Sequence, residues 1–376
     1  MTAIPFAMKA AAKERSFFRK YGKPGYTVYT VTGRPNTIER VTEKYVFIRT
    51  SRSDGAHRIP REHLRKALSI LFYRRVITLK ELIRIQSFSS ALAALIRVIM
   101  IDICKVLRTR SGVRLSLKGL RYFFSGISKG KDDVRVVRQN GGLFVLVNYF
   151  TVRSDSAASW KQNLRELGFS HRCVLLDPGE KTLYEARQKG KVVKPIDIDE
   201  YAQFVIQHSD IIYQYLTIDR IGDPETTRAN SLYLERVVGR KPIPVYHVQN
   251  SLDVLQAYID EGHDVIAVGG SVFVGRKRRA QLFDDMFKRF GDACNLHALG
   301  LGSTDLLLRY PWFSADASSW LNGRIFGKLL SLDGSAAAPA WMPSEDALAF
   351  NVRMFASLED RYDDIQVSID LVPPGE

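Results

Sequence analysis

The chain has 376 residues, more than one small domain needs, and its 45% hydrophobic and 25% charged content excludes a wholly disordered, collagen-like or coiled-coil protein. Its three cysteines, Cys104, Cys173 and Cys294, lie too far apart for a disulfide framework or a Cys-x-x-Cys zinc signature, so a reducing compartment and no metal are expected. The net charge of +15 is unevenly placed: residues 1–140 hold 30 Lys and Arg against 9 Asp and Glu, and residues 141–376 hold 25 against 31.

A basic excess confined to one third of the chain points to a polyanion-binding module joined to a near-neutral one. The plainer alternative is a solvated basic surface. The first twenty residues lack the long apolar core of a signal peptide. Leu92 to Leu107 carries Arg97, Asp102 and Lys105, so it reads as a packed helix and no membrane span.

In chain order, Tyr26–Thr32 and Ile38–Thr50 read as strands around the turn Gly33–Asn36. Helices are predicted over about 61–74, 79–86 (capped by Thr78) and 90–108, with Arg65, Arg74 and Arg75 among their basic residues. Such a cluster is compatible with a helix-turn-helix-like unit holding a nucleic-acid backbone. Arg108 to Arg138 shows no strong period.

From residue 141 the pattern alternates strand and helix. Strands are predicted at Phe144–Asn148, Arg172–Asp177, Ile211–Leu216, Ile243–His247, Asp264–Val268, Cys294–Ala298 and Trp312–Asp316. Helices are predicted to begin near Ser156, Asp197, Asp223, Ser251, Lys277 and Ser303. Largely apolar strands in such alternation imply a parallel sheet, and the length favours a TIM-type (β/α)8 barrel, irregular in its last unit. No Gly-x-Gly-x-x-Gly follows the first strand, which argues against a dinucleotide fold. The eighth strand falls near Ile325 to Leu330. A linker follows at Gly334–Ala340, then one helix from Ser344 to Arg361 and an acidic, Pro-rich end expected to fray. The domains are therefore set at 1–138, 139–332 and 333–376.

Function in a barrel collects at the C-terminal ends of its strands. There the sequence places Asp177-Pro178-Gly179, Asp219, His247 with Gln249, Gly269-Gly270, Gly300 with Gly302, and Asp316. Each Asp alone could cap a helix. Three on one rim point to a polar site, since an unpartnered Asp is seldom buried. Two carboxylates can divide labour as nucleophile and proton shuttle, the logic of glycosidic-bond chemistry. The Gly-Gly pair lets a flat ligand or a phosphate approach the backbone, a feature that phosphate-binding metabolic barrels share. Arg276, Lys277, Arg278 and Arg279 follow it and could grip a polynucleotide backbone or simply open a solvated helix.

The ordered set "VLLDPG" (174–179), "KPIDIDEYAQFV" (194–205), "YLTID" (215–219), "PIPVYHVQ" (242–249), "VIAVGGSVF" (265–273), "NLHALGLGS" (295–303) and "YPWFSADASSW" (310–320) resembles the tRNA-guanine transglycosylases. It is more similar still to the 7-deazaguanine DNA transglycosylase-like proteins of phages and bacterial DNA-modification clusters. The resemblance spans about 145 residues and does not reach residues 1–140. It implies exchange of guanine for a 7-deazaguanine (preQ0-type) base in DNA, without a cofactor. Asp316 would be the nucleophile at C1′ and Asp177 the general acid/base. Asp219, Gln249, His247, Gly269, Gly270, Gly300 and Gly302 would line the base pocket. DNA would be the partner, its target base flipped out of any duplex and held by the basic third, in the cytoplasm. Pro178 and Glu180 depart from the family's Asp-Ser-Gly pattern, and the structural zinc ligands of the tRNA enzymes are missing. A tRNA-directed enzyme or a catalytically inactive nucleic-acid-binding barrel are the alternative readings.

Overall fold

A computed structural model describes residues 5–109, 112–127, 131–169, 172–332 and 334–361. The acidic C-terminal end expected to fray lies outside them. The chain divides into two units, Met1–Lys118 and Gly119–Glu376.

In the N-terminal unit, a helix over Pro5–Tyr21 precedes four antiparallel strands, Thr27–Tyr29, Pro35–Val41, Tyr45–Thr50 and Ala56–Pro60, paired in chain order. Two expected strands are thus four: the second run turns back at Thr42–Tyr45, where Thr42 N–H donates to the Tyr45 carbonyl, and Ala56–Pro60 adds a strand that was not predicted. Helices follow at Arg61–Arg74, Leu79–Ile85 and Ser89–Ile99. The second opens with a capping box: Glu81 N–H donates to the Thr78 hydroxyl, and Thr78 N–H donates to the Glu81 carboxylate. Val76–Thr78 intervenes and pairs with Gly112–Leu117, which also pairs with Cys104–Thr109. The helices therefore belong to an α+β unit, not to a free-standing helix-turn-helix. The third helix ends at Ile99, and the apolar run beyond it re-enters as a strand. Among the described residues no single helix is long and apolar enough to cross a membrane.

The C-terminal unit is a TIM-type barrel. Its strands are β1 (Arg121–Phe124), β2 (Val145–Asn148), β3 (Val174–Asp177), β4 (Ile212–Tyr215), β5 (Val245–His247), β6 (Ile266–Gly269), β7 (Leu296–Ala298) and β8 (Ser314–Ala317). Each pairs in parallel with its successor, β8 returns to β1, and a parallel bridge from Leu216 to Ile243 joins β4 to β5. Seven strands lie where they are predicted. The first does not: β1 sits inside the stretch read as aperiodic, so the unit begins at Gly119 rather than 139. Its four residues open on an arginine, and the helix that follows it, Lys131–Gln139, is rich in charge. Both features merge with the basic segment when read by composition.

Alternation along the strands sets the core. Val145, Val147, Val174, Leu176, Ile266 and Val268 join the buried layer beneath the helices. The intervening residues fill the barrel. Phe123 of β1 meets Phe144, Tyr213 and His297, with ring centroids 5.7, 6.2 and 6.0 Å apart. At the N-terminal end of β1, the buried Arg121 guanidinium lies 3.8 Å from the Phe144 ring centroid and pairs with Glu359 at 2.5 Å. The lower barrel is thus a packed plug.

The last unit is irregular, as expected. After β8 come a 3-10 turn, Ser319–Leu321, a short helix, Asn322–Phe326, and a hairpin of Lys328–Ser331 with Gly334–Ala337. Ile325 to Leu330 is thus no barrel strand, and Gly334–Ala340 is no free linker. The final helix, Ser344–Ser357, occupies the eighth helix position. Its Phe355 stacks on Tyr122 at 4.0 Å, and its buried Asn351 bonds Leu330 N–H and the carbonyls of Trp320 and Lys328. Residues 334–361 therefore do not form a separate part.

Candidate functional site

Asp177 is the last residue of β3, beside Asn148 in the β2 register. Gly179 has φ +92° and opens the helix Glu180–Gln188, an element the sequence reading did not predict. Its N–H donates to Asp177 Oδ1 at 2.6 Å. A side chain at 179 would bring a Cβ 2.3 Å from Asn148 Oδ1, so the turn that aims Asp177 requires glycine. Asn148 is held in turn by bonds to Thr182 Oγ1 and Thr151 N–H.

Asp316 lies inside β8 and is 5% exposed. Its Oδ1 accepts the Gly300 N–H at 2.9 Å and lies 3.3 Å from His297 Nε2. His297, fully buried in β7, places Nδ1 2.9 Å from Ser314 Oγ. Oδ2 of Asp316 receives no hydrogen bond among the described residues. The Tyr122 hydroxyl donates to the Ala317 carbonyl at 2.9 Å, and burial, with the nearby Asp316 charge, holds that phenol far above its usual pKa.

There is a second His–Asp pair: His247 Nε2, ending β5, is 2.7 Å from Asp219 Oδ2. Gln249 Nε2 donates to the Gly270 carbonyl at 2.8 Å. Gly269 is in register with His247. Gly270 has φ +74°, and a Cβ there would sit 2.2 Å from Gln249 Oε1. Gly270→Ala is therefore expected to cost about 1–3 kcal/mol and to displace the Gln249 amide, read as a lowered Tm. Gly302 packs near Ser319.

The carboxylates act on one another. Burial, then the charge of Asp316, then those of Asp219 and Glu180, push Asp177 up to about 7 against the lowering bond from Gly179. Glu180 is also raised, by burial and by Asp219. Asp177, Asp219 and Asp316 thus share one rim with Glu180.

The expected phosphate-binding residues fare unevenly. Arg75 is a correction: it is wholly buried, caps Arg61–Arg74 with φ +61°, and donates to the Lys118 carbonyl at 2.6 Å, so it cannot meet a polynucleotide. Arg65 pairs with the buried Glu14 at 3.2 Å, and Arg74 pairs with Glu81. Arg276 pairs with Asp305 at 2.6 Å, and Arg279 donates to the Val274 carbonyl. Lys277 and Arg278 are exposed on the helix Arg276–Phe290, whose start borders a cavity of about 610 Å³. The sequence reading missed His297, Tyr122 and Ser314. The signal for His297 was a polar side chain in an otherwise apolar strand.

No family model matches the chain, and no curated protein matches it. Among solved structures it is similar to tryptophan synthase from M. tuberculosis (12% identity, TM-score 0.38, 64% of this chain and 93% of that one). It is also similar to a putative fructose-1,6-biphosphate aldolase from Coccidioides immitis (8%, TM-score 0.43, 66% and 93%) and to the tryptophan synthase alpha chain from Legionella pneumophila (10%, TM-score 0.40, 66% and 93%).

Proposed function

We propose that the barrel is a base-exchanging transglycosylase that replaces guanine in DNA by a 7-deazaguanine of the preQ0 type. The observation that carries this reading is the contrast between two carboxylates on one rim. Asp316 accepts the Gly300 N–H on one oxygen, which also lies near His297 Nε2, and its other oxygen receives no hydrogen bond among the described residues, whereas Asp177 is pushed up to about 7. The first suits an anionic nucleophile, the second a group that gives and takes a proton near neutral pH.

The chemistry balances without a cofactor. Asp316 Oδ2 attacks C1′ as the C1′–N9 bond breaks, and Asp177 gives its proton to the departing guanine N9. The incoming deazaguanine then gives its N9 proton to Asp177, its nitrogen attacks C1′, and Asp316 leaves as carboxylate. Asp219, Gln249 and His247 flank the base.

Labelled preQ0, incubated with the protein and guanine-containing DNA or tRNA, tests the reading by nucleoside mass spectrometry. Label in DNA is the expected result. Label in tRNA alone would reassign the substrate, and label in neither would remove the reading.

A further inference from the structure

The N-terminal unit contains a cavity that the barrel chemistry does not use, and we propose that it binds the phosphate of a nucleotide. The cavity measures about 240 Å³ and is built from that unit alone, between its first sheet and the start of the helix Ser89–Ile99. That volume is below the roughly 300 Å³ of drug-sized pockets and suits one nucleotide unit.

Four observations converge on an anion. First, Asn36 is 3% exposed and is one of the residues lining the cavity, and its Nδ2 has no hydrogen-bond partner among the described residues. A buried amide donor left unpaired costs about 1–3 kcal/mol unless something enters to accept from it. Second, Arg34 and Arg52 line the cavity, both exposed, and neither guanidinium meets a carboxylate among the described residues. No Asp or Glu lines it at all.

Third, the wall adds donors and loses acceptors. Thr32 and Ser51 are among its lining residues, the Thr32 hydroxyl lying 3.1 Å from that of Thr30. The carbonyls of Thr30 and Val31 are already taken by Arg97 Nη1 at 3.3 Å and Arg108 Nη2 at 2.9 Å. Fourth, Ser90 and Ala91, in the first turn of an eleven-residue helix, close one side, and that helix has no side-chain cap. Its first amides and its dipole favour a negative group at this end. The unit carries 25 Lys and Arg against 7 Asp and Glu, so an anion is also drawn towards it.

The phosphate could belong to a free mononucleotide or to a strand. Full-length protein is titrated at low salt with thymidine 5′-monophosphate, thymidine and a ten-residue oligothymidylate. Pyrimidines are used so that a guanine pocket in the barrel does not contribute. Expected is saturable binding of at least one phosphate-bearing probe, with thymidine about tenfold weaker or unbound. Arg34→Ala combined with Arg52→Ala should weaken that probe about tenfold. If the strand is the ligand, its log–log salt slope should also fall by about 1.4.

Both arginines are exposed and unpaired, so the double variant keeps its Tm. Lys66→Ala with Arg84→Ala removes the same charge elsewhere in the unit, and Asp316→Asn reports on the barrel. Loss of mononucleotide binding assigns a free nucleotide, and loss confined to the oligonucleotide assigns a strand. Equal loss in the Lys66/Arg84 control, no loss in the Arg34/Arg52 variant, or no binding of either phosphate probe would overturn the proposal.

Discussion

Asp316→Asn is expected to lower the rate of the proposed base exchange by on the order of 10⁴-fold or more, with the fold intact. The two side chains have nearly the same shape. Asparagine keeps an oxygen that can accept the Gly300 N–H and sit near His297, so the packing inside β8 has no reason to change. What disappears is the anionic oxygen that would bond to C1′, and no neighbour can replace it: Asp177 lies on β3, across the rim from β8. The check is direct. Guanine-containing DNA without an incoming base should leave a protein–DNA adduct on a denaturing gel with the parent and none with the variant. A variant that still forms the adduct would move the nucleophile elsewhere, and one that behaves like the parent in every assay would favour a barrel without chemistry.

The barrel was legible where strands are buried on both faces. Runs such as Val174-Leu175-Leu176 and Ile266-Ala267-Val268 announce themselves by composition, and Asp197, Asp223 and Ser251 cap the helices they were expected to cap. β1 was not legible, because Arg121 plugs the barrel floor through an aromatic ring and Glu359, a contact 238 residues away in sequence. The same limit applies to Arg75. Two adjacent arginines read as surface charge, yet the helix ends there in a left-handed turn that points the second one into the core. Helix 90–108 was overdrawn because an apolar run does not say where a helix gives way to a strand; Asp102 was the only mark of the break.

In the site, strand-end carboxylates could be picked out because each closes an apolar run. Their partners could not. His297 sits one residue into β7 and meets Asp316 only because β7 and β8 are neighbours in register, His297 opposite Ser314. The proton affinity of Asp177 was equally hidden, since it arises from burial and from Asp316 and Asp219, brought in by other segments, with Glu180 three residues on.

Asp177 is expected to give the two half-reactions opposite pH dependences around about 7. In the proposed exchange, release of guanine needs its proton, so the single-turnover burst without incoming base should fall above that pH. Capture of the deazaguanine needs the carboxylate, so it should fall below. Asp177→Asn should slow both by about 10²–10⁴-fold and flatten both profiles. The stability consequence has a definite sign. The folded pKa lies above the unfolded value near 3.9, so the native state holds the proton more tightly, and stability falls as pH rises from about 4 to about 7. Asp177→Asn removes that loss and should be more stable than the parent at pH 8 by about 1–3 kcal/mol, with the gain vanishing near pH 4. Because the Asp316 charge is the second cause of the shift, Asp316→Asn should move the fall in stability to lower pH. Denaturant titrations across pH 4–8 on the parent and both variants decide it. A parent whose stability is flat over that range, or that gains stability with pH, would show that Asp177 does not carry a shared proton.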